Sequence, residues 1–390
     1  MKVAIVNTFD VKDIKNWSGI PYHLSLFLET FFGENNIECI SIPLKRNIIS
    51  YVKGFYFNRI KKLNYLSDFD TSVLLANYEA FKNVRNNEYD LIITFQFFII
   101  PNIENPKSKI ILWTDATFQN LLNFYEYVSN LPPSQINKTH AIQKKALQLS
   151  SCIILTSLWA IDSAVKYYET NTDKIRLIPF SSNLSVYPNQ AEVNEIIANR
   201  LNGDLKLLFL GVDWERKGGD EAVEVLNKLN AKGIKAKLFI IGTDILPQHK
   251  SNKNIIPLGF INKNEASGEK RIIELLKECS LLILPTRADC TPVAFIEANS
   301  YALPVITTNV GGIASVITNE VNGYYFDNEN FVEQAVSLIE KLWIDKIAYA
   351  NLCNSSYTRY QQEFSIDKLE EKFKTVVTET LGIDVPLNNK

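Results

Sequence analysis

Leu205-Lys206-Leu207-Leu208-Phe209-Leu210-Gly211-Val212-Asp213-Trp214-Glu215-Arg216-Lys217-Gly218-Gly219 is the stretch that decides the fold. Leu205 to Leu210 is a short, nearly continuous apolar run, the pattern of a strand covered on both faces. A glycine-bearing loop with two adjacent cations follows, and a helical pattern runs from Asp220 to Leu229. Strand, loop and helix in that order are the repeating half of a parallel α/β sheet, whose ligands meet the loops at the carboxyl ends of the strands.

The pattern extends in both directions. Downstream come Lys237 to Ile241, Ile255 to Leu258, Leu281 to Leu284 and Val305 to Thr308. Upstream lie Val3 to Asn7, Ile37 to Ile42, Leu91 to Phe95, Ile110 to Thr114, Cys152 to Thr156 and Arg176 to Ile178, with helical patterns such as Ile20 to Phe32 and Ala141 to Leu149 between them. A polar, proline-bearing stretch from about Ser185 to Asp204 interrupts the alternation, and from about Asn330 the chain reads as helical to nearly Gly382. A chain of 390 residues has room for two domains. The reading is therefore an α/β protein of two Rossmann-like domains facing across a cleft: residues 1–184, a linker at 185–204, a second domain at 205–362, and a helix at 363–382 returning to the first domain. The two halves share no alignable repeat.

Composition narrows the function. With 46% apolar and 22% charged residues the chain has a globular profile, and no apolar run reaches the length of a membrane span. The start Met-Lys-Val-Ala-Ile-Val-Asn reads as a first strand and not as a signal peptide, so a cytoplasmic location is expected. The five cysteines are scattered and form no Cys-x-x-Cys pair, which argues against a disulfide framework and a zinc site. A net charge of -2 gives no global attraction to nucleic acid.

Two loops carry candidate chemistry. Arg216 and Lys217, a planar fork beside a point charge near backbone N–H groups, suit a diphosphate; a solvated surface pair is the plain alternative. The second loop is Pro285-Thr286-Arg287-Ala288-Asp289-Cys290-Thr291-Pro292-Val293-Ala294-Phe295-Ile296-Glu297-Ala298. Thr291 before Pro292 reads as a helix start, the threonine capping and the proline as first helical residue. That places Asp289 in the loop and Glu297 in the second turn, where carboxylates suit sugar hydroxyls, with the N–H groups of Val293 and Ala294 unpaired toward the site; an ordinary loop residue and a surface helix position are the plain alternative.

These two motifs, followed by Ala302-Leu303-Pro304-Val305-Ile306-Thr307-Thr308-Asn309-Val310-Gly311-Gly312, resemble the retaining glycosyltransferases of family four, which have the GT-B fold. The resemblance covers nearly the whole chain and is strongest from about Leu208 to Asp327. It implies that Arg216 and Lys217 bind the donor diphosphate and that Glu297, the second glutamate of a Glu-x7-Glu motif, holds the ribose. Asp289 stands where the first glutamate belongs, one methylene shorter. Gly259 and Phe260 match the loop lining the nucleotide base, Cys290, Thr291, Pro292, Val293 and Ala294 the donor-binding helix start, and Gly311 and Gly312 a tight turn nearby. In the first domain Trp17-Ser18-Gly19-Ile20-Pro21 resembles the glycine-rich loop near the donor phosphates, with one glycine where a pair is usual; Gly19 also fits a simple turn. Asp115 occupies the place of a histidine close to the reacting sugar, and also fits a cap on the next helix. Ser157 fits a strand-end serine or a helix cap. Pro179-Phe180-Ser181-Ser182-Asn183 stands at the expected hinge.

The implied activity is retaining transfer of a sugar from a nucleoside diphosphate sugar to an acceptor, with no metal or other cofactor. A nucleotide-sugar epimerase or a non-catalytic sugar-nucleotide-binding protein are the alternatives. Only a transferase makes a glycosylated product. Asp68-Phe69-Asp70 looks like a metal-binding Asp-x-Asp but follows no strand, and reads instead as an acidic helix start. The three histidines, His23, His140 and His249, have no metal or triad spacing. Between Glu38 and Asp68 there is no acidic residue, while Lys45, Arg46, Lys53, Arg59, Lys61 and Lys62 are interleaved with Tyr51, Phe55, Tyr56 and Phe57. That mixture reads as a solvated loop region, an acceptor surface, or a peripheral contact with the inner membrane surface.

Overall fold

The apolar runs become two six-stranded sheets in the computed structural model, which describes residues 1–383. In the first, β1 (Val3–Asn7), β2 (Ile37–Ser41), β3 (Leu91–Thr94), β4 (Lys109–Thr114), β5 (Cys152–Leu155) and β6 (Ile175–Leu177) lie in the order β2-β1-β3-β4-β5-β6. In the second, β7 (Leu205–Leu210), β8 (Ala236–Ile241), β9 (Ile255–Pro257), β10 (Leu281–Leu284), β11 (Val305–Thr308) and β12 (Gly323–Phe326) lie in the order β12-β11-β10-β7-β8-β9. All the pairings are parallel. β1, β3, β5, β10 and β11 are buried at every residue, as strands sandwiched between helix layers must be. The strand that the sequence pattern missed is β12, a half-buried edge strand that opens on a glycine.

The described chain divides into two compact units, one of Met1–Ile178 together with residues 370–383, the other of Pro179–Leu369. The boundary thus falls at Ile178, ahead of the expected linker. Residues 185–204 are not a linker: they contain the helix Gln190–Leu201, opened by a capping box between Asn189 and Glu192. Val193, Ile196 and Ile197 enter the core of the second unit. Buried Arg200 donates to the carbonyls of Leu276 (2.5 Å), Lys277 (3.1 Å), Tyr301 (2.9 Å) and Ala302 (2.6 Å). Polar composition and prolines hid a helix whose core face is narrow.

The C-terminal helix Ile366–Leu381 belongs to the first unit from Glu370 onward. Buried Phe373 stacks on Trp113 at 5.3 Å and meets Phe27 and Phe31 edge-on at 5.5 and 5.1 Å. Aromatic contacts of this kind add to plain area burial. The helix is therefore part of the first unit's core and not an appendage.

In each sheet the order reverses once, between β1 and β3 in the first unit and between β7 and β10 in the second. Open α/β sheets bind ligands at such switch points, outside the strands' carboxyl ends.

Candidate active site

The second unit's switch point is where the sequence placed its chemistry. After β7 the chain makes a single helical turn, Trp214–Lys217, capped by Asp213, whose side chain accepts from the Arg216 N–H at 3.0 Å. Arg216 and Lys217 therefore end a helical turn, and the long helix begins afterwards at Gly219. Gly218 joins the two in a left-handed conformation with φ of 75°, and a Cβ there would collide with the Pro285 carbonyl at the end of β10. Gly211 clears the other side, since a Cβ on it would sit 2.8 Å from Lys217 Cγ. Both glycines exist so that the two loops can close on each other.

The closure brings the cations to Asp289. Lys217 Nζ lies 2.6 Å from Asp289 Oδ2, both side chains being 12% exposed. Arg216 is steered by Asp213 at 3.2 Å, donates to the Ala288 carbonyl at 2.8 Å and stands 3.8 Å from Asp289 Oδ1. The Arg287 N–H returns a bond to the Arg216 carbonyl at 2.7 Å. The expected Gly311-Gly312 turn after β11 joins the cluster, Gly312 N–H donating to the Asp289 carbonyl at 3.2 Å. Cys290 and Thr291 are buried beside Asp289.

The helix that follows is Val293–Ser300, with Pro292 at the N-cap and no side chain capping it. This corrects the expected start: Thr291 is not the cap and Pro292 is not the first helical residue, because the prolyl backbone is still extended with ψ of 104°. The N-cap is thus a proline, which offers no side-chain acceptor of its own to the helix start, a polarity suited to an anion. Glu297 lies in the second turn, 2% exposed, and is paired with Lys263 at 2.8 Å. Lys263 and Asp213 escaped sequence reasoning, having no motif. The one signal for Lys263 is that a glutamate inside an apolar helix start must find a cation. Gly259 follows β9 at φ of 67° and its carbonyl accepts from Gly242 N–H at 2.9 Å, while Phe260 beside it is exposed.

The first unit's expected residues also follow strands. Trp17, Ser18 and Gly19, after β1, have φ of 44°, 56° and 81°, a left-handed run ending at the N-cap of the helix Ile20–Phe32. Two non-glycine residues in that region mark a constrained loop. Asp115, half-buried, follows β4, and it does not cap the next helix: Thr117 does, in a capping box with Asn120. Ser157 caps the helix Leu158–Tyr168, accepting from Ala160 N–H at 3.2 Å. Ser181, in the expected hinge segment, donates to the Phe364 carbonyl at 2.8 Å within the second unit.

Asp70 takes the helix-start role, capping Thr71–Ala76, and is gripped by Lys53 at 3.1 and 2.8 Å and by the Tyr65 hydroxyl. Burial alone would raise its carboxyl, but these donors and the Ser72 N–H hold it down at about 2. Above the unfolded value of about 3.9 that depression stabilises the native state, and the contribution disappears as pH falls through about 2. The difference in melting temperature between wild type and Asp70→Asn is therefore expected to be widest near neutral pH and to narrow steadily below pH of about 4. A gap that stays constant with acidification would contradict this linkage.

Residues 45–62 are not a loop. They hold the helix Ile48–Phe55, capped by Asn47, and a wider π-type continuation Tyr56–Lys61. Among the described residues no helix is long and apolar enough to cross a membrane.

Residues 192–359 match the family described as glycosyl transferases group 1. An uncharacterized glycosyltransferase of Methanocaldococcus jannaschii is 26% identical over 176 residues, which is 42% of this chain and 48% of that protein. The lipopolysaccharide glucosyltransferase WaaG of Escherichia coli is 28% identical over 165 residues, 40% of this chain and 42% of that protein. The matches thus span about half the length of these curated relatives. Among solved structures, Anabaena HepE in complex with UDP and glucose has the same fold, with a TM-score of 0.60 at 12% identity over 97% of this chain and 99% of that one. The chain thus has the GT-B fold, and its residues 192–359 match the glycosyl transferases group 1.

Proposed function

We propose that the chain transfers a sugar, with retention and without a metal, from a nucleoside diphosphate sugar to an acceptor glycan or lipid. The observation that carries the reading is the convergence of Arg216 and Lys217 on Asp289 at the second unit's switch point, beside a helix start whose N-cap is Pro292. The donor diphosphate would take the two cations and the N–H groups at Val293 and Ala294. As the bond from the anomeric carbon to the diphosphate oxygen breaks, charge grows on that oxygen. Fixed cations stabilise it more in the transition state than in the ground state. The acceptor oxygen bonds to the anomeric carbon from the leaving-group face, and its proton passes to the departing phosphate. Retention and the ribose role of Glu297 rest on the family-four resemblance. Because Anabaena HepE is bound to UDP and glucose, a uridine diphosphate sugar is the first donor to try.

Asp289 is the positioning residue of this arrangement, since it fixes Lys217 Nζ at 2.6 Å. Its shorter side chain reaches the ammonium. Asp289→Ala is expected to lower turnover about 10²-fold, the cost of a catalytic group displaced by about 1 Å. Asp289→Glu should retain most of the rate, and an unchanged rate in Asp289→Ala would end the assignment. Detection of a glycosylated product by mass spectrometry tests the activity itself.

We further propose that the segment at 45–62 rests on an anionic membrane surface. Its outward positions Ile48, Tyr51, Val52 and Phe55 are 62–81% exposed. Its inward positions are Ser50, Lys53 and Gly54. A surface helix ordinarily shows the opposite polarity, and exposed Lys45, Arg46, Arg59, Lys61 and Lys62 flank the apolar face as they would at a lipid headgroup layer.

A further inference from the structure

The inverted helix forms one wall of a cavity of about 350 Å³ in the first unit. Val52, Tyr56, Phe57, Tyr65 and Phe69 supply its apolar lining, with the rings of Phe57 and Tyr65 stacked at 5.8 Å. Lys53, Asp70 and Gln135 in the wall already have partners. Lys53 holds both oxygens of Asp70, which also accepts from the Tyr65 hydroxyl and, at 2.7 Å, from the Ser72 N–H. Gln135 exchanges two bonds with the backbone of Leu66, at 3.1 and 2.7 Å. What such a wall offers an occupant is chiefly ring faces and methyl groups, with Thr71, Ser134 and Lys138 as its remaining polar side chains.

A sugar or nucleotide would bring many hydroxyls against a wall in which Lys53, Asp70 and Gln135 are already paired, a desolvation loss with little return. An apolar chain has no such need. Val52 and Tyr56 belong both to the exposed face of the helix and to the cavity wall. A chain leaving a bilayer at this face would therefore pass from hydrocarbon to cavity along continuous apolar surface. Lys138, exposed and lining the cavity, stands ready for an anionic headgroup. A second copy of this chain is a poor occupant, because it would bring Arg59, Lys61 and Lys62 against their own kind.

We infer that this cavity takes an acyl chain of an anionic lipid, with the lipid phosphate beside Lys138. The inference deepens the proposed membrane contact and rests on it for the route of entry, but a lipid supplied as monomers in water needs no bilayer. Two assays therefore separate the two readings. The first titrates the full chain with dioctanoyl phosphatidylglycerol below its critical micelle concentration, following the melting temperature. The second measures co-sedimentation with phosphatidylglycerol and phosphatidylcholine vesicles.

Saturable stabilisation of wild type by the monomeric lipid is expected. Ser134→Trp, which plugs the cavity from an exposed position in its wall, should weaken monomer binding about tenfold or more and leave vesicle binding unchanged. Lys138→Glu, a surface change without folding risk, should erase the preference for phosphatidylglycerol over phosphatidylcholine monomers. Failure of wild type to bind the monomer, or equal binding by both variants, would overturn the cavity assignment even if vesicles still bind. Monomer binding without vesicle binding would instead uphold the cavity and remove the bilayer contact.

Discussion

Lys217→Ala is expected to lose about 10²–10³ in turnover, the loss seen when one preorganised group facing developing negative charge is removed. The ammonium sits where β7 and β10 diverge, and its side chain is as enclosed as that of its partner Asp289. In so dry a place a positive charge acts on a leaving diphosphate with little screening. Arg216→Ala should be costly for the same reason, and Lys217→Arg should not rescue, because a planar fork cannot replace a point charge beside Gly211. Circular dichroism of Lys217→Ala should remain that of wild type. Steady-state kinetics then decide: full activity in either alanine variant removes the phosphate role.

Gly218→Ala is the second large effect, and it begins with backbone. Left-handed φ costs a residue with a Cβ about 1–2 kcal/mol, and crowding the Pro285 carbonyl adds about 1–3 kcal/mol of overpacking. For a unit of this size the melting temperature should fall on the order of 10 °C. Activity should fall further than stability predicts, because Gly218 sets the distance between the loop bearing Lys217 and the loop bearing Asp289. Calorimetry together with kinetics on the refolded variant checks both parts. A wild-type melting temperature would show that the two loops do not approach as closely as described.

Much of this was legible because parallel strands between helix layers are apolar throughout. Leu205–Leu210, Leu281–Leu284 and Val305–Thr308 were readable to the residue for that reason. The basic pair and Asp289 were legible through their positions after strands, which the fold turns into contact across a sequence gap of 72 residues. What escaped was set by tertiary contact. Gln190–Leu201 looked like a linker because Arg200, a charged residue, is one of its deepest anchors. Lys263 had no local signature, since its role is defined by buried Glu297. The basic, aromatic stretch at 45–62 read as a loop because its apolar residues face outward and so do not follow the core-facing helical period.

The most direct test of sugar-nucleotide chemistry at Arg216 and Lys217 is a thermal-shift panel of nucleoside diphosphate sugars on wild type and Lys217→Ala. At least one donor, with uridine diphosphate sugars first in order, is expected to raise the wild-type melting temperature saturably, by mass action on the native state. The same donor should do so much less in Lys217→Ala. Stabilisation of wild type by no donor in the panel, or equal stabilisation of both proteins, would contradict the proposed role of this site.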